Sequence, residues 1–229
     1  MKKAGRKSYG YGLVLGSLLG MELMAGGGMA LGHSPAQEES AQKLGINMYV
    51  YNYAQVADMT LEQSEKAAAA IFNQIGVEVS WANCHPVMRG SRRAVSCPPR
   101  LGPAYFYLRI VPSMPTVRGA SDVGSMGMAV GDLATVSSSR ITNEAAAVSV
   151  DVAKLLGMVM AHEMGHMMGL HSHSLTGIMR AGWTSEDYAL ANQQALLFTA
   201  REGELVRRQV RALAQEHATA ELATTKAPQ

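Results

Sequence analysis

His162-Glu163-Met164-Gly165-His166-Met167-Met168-Gly169-Leu170-His171-Ser172-His173-Ser174 is the stretch from which the rest of the chain is read. Residues 152–170 are apolar nearly all round, the pattern of a buried helix rather than a surface helix with one apolar stripe. On such a helix His162 and His166 lie ~40° apart around the axis and about one turn apart along it. Two imidazoles so placed reach one zinc ion at ~2.1 Å. Glu163 lies beside the first of them, placed to accept a proton and return it. A chance His-Glu-x-x-His is the plain alternative. Against it, burying two imidazoles and a carboxylate without partners is costly. Four of the seven histidines also fall within 162–173.

A catalytic zinc takes three protein ligands and keeps a further position open. Gly169 is placed to end the helix in a left-handed turn and send the chain back toward the metal. His171 and His173 follow. In an extended segment both point the same way, so spacing alone leaves both as candidates. Gly177-Ile178-Met179 then offers a tight turn carrying a methionine; with 16 Met in the chain, an ordinary core role for Met179 is the plain alternative. Glu186, 20 residues beyond His166, is a third candidate ligand, as in thermolysin-like zinc peptidases.

Upstream, Asn47 to Tyr53 alternates as a strand. Thr60-Leu-Glu-Gln63 reads as a capping box opening a helix through Ile75, which Gly76 stops. Val77, Val79 and Trp81 alternate as a second strand, making a βαβ unit with parallel strands. Residues 83–103 read as irregular, and Tyr105 to Val111 as a third strand. Met126 to Ser138 supplies one or two edge strands. Ala145 to Leu170 reads as helical. Ser185 to about Leu222 reads as one or two helices, with Gly203 as the break and Val206, Val210 and Leu213 as a packing stripe.

His162, Glu163, His166, Gly169 and the Gly177-Ile178-Met179 turn resemble the metzincin zinc peptidases, in particular matrixin-like bacterial members. The resemblance implies an α+β metzincin-like catalytic domain over 46–222: a small twisted mixed sheet, a backing helix, an active-site helix and a C-terminal helix. It implies a zinc metalloendopeptidase with one catalytic Zn2+, held by His162, His166 and a third histidine. Glu163 would be the general base that draws a proton from metal-activated water, and Met179 the hydrophobic floor beneath the ion. The family's third histidine falls where this chain has Ser172, so the spacing is altered. His173, followed by Ser174, is the expected ligand, and His171 the alternative. The implied partner is a peptide or protein substrate. A secreted zinc-binding protein without catalysis is the competing reading; Glu163 disfavours it.

Residues 1–36 have the layout of a secretory signal peptide: a basic start at Lys2, Lys3, Arg6 and Lys7, then the apolar stretch from Gly12 to Met21, then small residues. Cleavage after Ala25, Gly32 or Ala36 fits. A retained anchor is the alternative, opposed by Glu22 and the many glycines. The formal charge is +2; losing 1–36 removes four basic residues and one acidic one and leaves −1. That charge gives no footprint for nucleic acid and no basis for stable membrane association. The expected location is secreted or periplasmic. There Cys84 and Cys97 are expected to form one disulfide. Residues 37–45 read as a flexible N-terminus and 223–229 as a disordered tail.

Overall fold

β1 (Leu44–Asn52) sets the sheet. Ile46, Met48 and Val50 are buried on one face, while Tyr49 and Tyr51 point to the other, the period-2 pattern of a strand. The computed structural model describes residues 44–84, 97, 104–114 and 125–225. The expectations for 1–36, for 37–43, for most of the irregular stretch at 83–103 and for the last residues of the tail lie outside these.

β1 is followed by α1 (Asp58–Asn73), β2 (Val77–Cys84), β3 (Tyr105–Val111), β4 (Gly127–Val130) and β5 (Leu133–Ser137). Then come α2 (Ser138–Val148), α3 (Val152–Met167), α4 (Ser185–Asn192) and α5 (Ala200–Thr225). The sheet order is β2-β1-β3-β5-β4. The first three pairings are parallel, and β4 runs antiparallel to β5 through a two-residue turn at Gly131-Asp132, where Gly131 has φ 61°. The fold is thus a mixed α/β arrangement, and the expected βαβ unit is present as β1-α1-β2. Tyr49, Tyr51, Tyr105 and Tyr107 form an aromatic ladder with ring separations of 6.0–6.4 Å. Cys84 and Cys97 are joined in a disulfide. The Tyr51 hydroxyl donates to the Cys97 sulfur at 3.3 Å.

Some boundaries differ from the sequence reading, each for a local reason. α1 starts at Asp58, ahead of the Thr60 box, and its N-cap Ala57 makes no side-chain cap. The Asn52 side chain accepts from the Val56 amide at 2.9 Å and donates to the Val56 carbonyl at 2.7 Å, bracing the turn so that the helix begins early. Of the two strands from 126–138 only β4 lies at an edge of the sheet; β5 lies between β3 and β4. The helical stretch before Leu170 is two helices, α2 and α3. Ser149 adopts φ 55° as the C-cap of α2, and Asp151 accepts from the Lys154 amide to start α3 afresh. Gly203 does not break the C-terminal helix. The break is at 193–199, with Gln194 at φ 57°. Gly203 lies inside α5, where an added Cβ would come 2.6 Å from Ile75, so its bareness serves packing. β1 begins at Leu44 and α5 runs to Thr225, slightly beyond the domain limits read from the sequence.

α3 is buried along nearly its whole length, and it crosses α1 closely at Gly157. A Cβ there would lie 2.5 Å from the Ser64 carbonyl oxygen and 2.7 Å from the Ala67 Cβ. Gly157→Val must therefore push two helices apart. It is expected to destabilise the fold by roughly 1–3 kcal/mol, read as a lower urea midpoint. An unchanged midpoint would mean that the α1–α3 contact is looser than described.

Candidate metal centre

α3 presents His162 and His166 from its last turns to one side. The His162 Nδ1 donates to the Ile178 carbonyl at 2.7 Å, and the His166 Nδ1 to the Leu170 carbonyl at 2.6 Å. A carbonyl only accepts, so both Nδ1 atoms carry the proton and both Nε2 atoms carry a lone pair. Burial pushes the His162 imidazole down to about 4, and burial also lowers His166. Both are neutral at physiological pH, the state a metal ligand needs.

The two Nε2 atoms are 3.2 Å apart, and the His173 Nε2 is 3.3 Å from that of His166. All three lie within 4.8 Å of one another. Two lone-pair nitrogens at 3.2 Å repel unless a cation lies between them. Four ligands around a tetrahedral ion with Zn–N of ~2.05 Å are ~3.4 Å apart. The donor set and its spacing fit zinc.

Helix termination brings the third imidazole into place. Gly169, at φ 88°, reverses the chain after α3, and the Gly169 and Leu170 amides bond back to the carbonyls of His166 and Gly165. His173 then comes to the helical pair. His171 lines the surrounding cleft and is not part of the trio. Glu186 lies exposed in the first turn of α4 and is also outside it.

The turn beneath the site is anchored from several sides. Gly177 has φ 77°, and the Ile178 amide donates to the Leu197 carbonyl at 2.9 Å. The Ile178 carbonyl accepts from both His162 and the Trp183 indole, the latter at 3.2 Å. The Trp183 ring meets His162 edge-on at 5.8 Å and also lines the cleft. Met179 is fully buried. A Cβ on Gly165 would lie 2.5 Å from its sulfur, so the methionine packs directly against the helix that carries both histidines.

Glu163 is only 5% exposed, and burial pushes its carboxyl up to about 8. A cation held by the histidines acts in the opposite direction, favouring the carboxylate. The Glu163 side chain lies over Gly127 on β4. A Cβ there would come within 2.5 Å of Oε1, 2.8 Å of Cγ and 2.9 Å of Cδ. Gly127 was not legible as a site residue, since nothing in its sequence neighbourhood marks a contact with a helix 36 residues on. Gly127→Val is expected to displace the Glu163 carboxylate and leave the histidines in place. If the site hydrolyses peptides, activity should fall roughly a hundredfold or more with zinc content unchanged. Wild-type activity in this variant would show that the carboxylate can move without consequence.

The three histidines and Glu163 lie in a cleft of about 1430 Å³, walled by residues 125–129 of the β4 edge and by α2. The outer edge of β4 has no strand partner among the described residues. The Arg140 guanidinium donates to the Ser125 carbonyl at 2.8 Å, tying α2 to the segment before β4. Across the cleft the Tyr188 hydroxyl donates to Glu144 at 2.7 Å, and burial together with Glu144 pushes the phenol up. Arg180 and the Thr184 amide and hydroxyl all bond Asp187, which fixes α4 to the turn. Thr184-x-x-Asp187 is a capping box readable in the sequence. The Glu144–Tyr188 pair has no such signal.

No family model matches the chain, and no curated protein matches it. Solved structures that resemble it include the following three. An archaemetzincin from Methanopyrus kandleri is 15% identical, with 74% of this chain and 98% of that one covered, at a TM-score of 0.46. A zinc-dependent peptidase from Methanocorpusculum labreanum is 16% identical, with 69% and 99% covered, at 0.48. An archaemetzincin from Archaeoglobus fulgidus, complexed with malonate, is 18% identical, with 70% and 99% covered, at 0.42. At these identities and scores the likeness assigns neither family nor chemistry. What the site can do rests on its own geometry.

Proposed function

We propose that this chain is a zinc-dependent endopeptidase of the metzincin type, matrixin-like with an altered spacing to its third histidine, exported under the direction of residues 1–36. The observation that carries the reading is the trio of imidazole nitrogens. They are spaced for a tetrahedral zinc, with two of their tautomers fixed, beside a buried carboxylate in a cleft walled by the β4 edge, which has no strand partner among the described residues.

His162, His166 and His173 would hold the ion; three protein ligands is the number found in catalytic rather than structural zinc sites. Bound there, zinc supplies Lewis acidity, polarising a carbonyl and acidifying water. Glu163 takes the proton from the attacking water and delivers it to the departing amine. An extended peptide can pair with the outer edge of β4 through main-chain hydrogen bonds, which would lay its backbone along the cleft. Met179 and Trp183 keep the ring of His162 and the end of α3 rigid and dry.

The test is cleavage of an unfolded protein or a mixed peptide library by the purified chain. Activity is expected to be lost on chelation and restored by zinc, and mass spectrometry should find internal cuts. Bound zinc with no cleavage of any peptide would instead support the non-catalytic zinc protein. N-terminal sequencing of exported material should find a start after Ala25, Gly32 or Ala36.

A further inference from the structure

The three histidines are not held alike. His162 and His166 sit on a buried helix, and each ring is pinned through Nδ1 to a carbonyl. His173 lies on the exposed loop, and among the described residues no carbonyl pins its ring through Nδ1. What fixes it is the residue that follows. The Ser174 amide donates to the Met179 carbonyl at 2.9 Å, and Ser174 forms an isolated bridge with Arg180. The Ser174 hydroxyl donates to the Glu202 carboxylate.

Glu202 is itself immobile. It is 6% exposed, in the first turn of α5. Its second oxygen accepts from the Thr199 amide at 2.7 Å, and its own amide donates to the Thr199 hydroxyl at 3.3 Å. This reciprocal cap satisfies donors at the helix start and holds the carboxylate in one place. A buried carboxylate with one oxygen on a helix cap and the other on the residue beside a site histidine is a rigid strut between α5 and the loop.

We propose that Glu202 is a positioning residue for the metal centre. Through Ser174 it holds His173 in register with His162 and His166, making the C-terminal helix part of the site. The inference rests on the reading of the trio as a zinc centre. Partners that orient ligands in this way are typically worth 10- to 100-fold in metal affinity.

The experiment uses the full chain and two readouts: zinc affinity by chelator competition, and the visible absorption of the cobalt-substituted protein. Ser174→Ala removes the strut but leaves the Thr199–Glu202 cap. It is expected to weaken zinc binding roughly 10- to 100-fold and to alter the cobalt bands, and Ser174→Thr is expected to restore both. Thr199→Ala keeps the backbone amide that holds the Glu202 carboxylate and loses only the hydroxyl that accepts from the Glu202 amide, so it should lower the melting temperature and leave metal affinity unchanged. Glu202→Ala should do both, and if it does not fold, Ser174→Ala carries the test alone. Wild-type affinity and cobalt bands in Ser174→Ala would overturn the inference while leaving the zinc reading intact. A wild-type chain that takes up neither metal would overturn the zinc reading and the inference with it.

Discussion

Glu163→Gln is expected to abolish peptide hydrolysis while zinc stays bound. The amide has nearly the shape of the carboxylate, so the side chain keeps its place over Gly127, and the three Nε2 atoms are untouched. Only the proton acceptor is lost. A positioned general base contributes about 10²- to 10⁴-fold, and the loss should fall on kcat with KM little changed, since substrate contacts remain. Stability gives an independent check. Without metal, burial pushes the Glu163 carboxyl up to about 8, so folding takes an acid from water into an apolar helix. A neutral amide carries less of that cost, and the metal-free variant is expected to melt at or above the wild-type temperature. Metal analysis, steady-state kinetics and thermal melting of metal-free protein measure the three parts. Full activity in the variant would remove Glu163 from the chemistry. A variant that loses zinc would mean the carboxylate is a ligand.

What could be read from the sequence was whatever local chemistry determines. The period-2 runs at Asn47–Tyr53, Val77–Trp81 and Tyr105–Val111 became β1, β2 and β3, because burial on one face of a strand imprints alternation on the chain. Gly169 and Gly177 did adopt the left-handed backbone that a helix end and a tight turn require. The pair His162/His166 was legible because four residues make a helical turn.

The rest depends on contacts between distant segments. Gly203 reads as a helix breaker on propensity, yet Ile75, far away in sequence, packs where its Cβ would lie. Gly127 lies under Glu163 only because β4 folds back to the sheet edge beside α3. Thr199-x-x-Glu202 has the spacing of a capping box, but nothing local says that its carboxylate also takes the Ser174 hydroxyl. The Thr60 box failed because an asparagine eight residues earlier had already set where the helix begins.

The choice between His171 and His173 is of that second kind, and His173→Ala and His171→Ala should separate them sharply. An extended loop would turn both rings the same way. The segment after Gly169 is instead bent by the Ser174–Met179 hydrogen bond and by the bridge to Arg180, which sets His173 against His166. The His173 Nε2 is 3.3 Å from that of His166, while His171 stays on the cleft wall. Removing a directly bound imidazole costs more than the roughly 10- to 100-fold lost with an outer partner. His173→Ala is therefore expected to lose more than a hundredfold in zinc affinity, and hydrolysis with it. His171→Ala should keep zinc and the cobalt spectrum, with at most a change in KM from the altered cleft wall. Glu186→Gln should also keep zinc, since that carboxylate lies outside the trio. Loss of zinc in His171→Ala alone would mean that the loop refolds around the ion and that the arrangement seen at Ser174 is not the metal-bound one. Loss in both variants would mean that the ion draws on both imidazoles, leaving no room in a four-coordinate site for substrate.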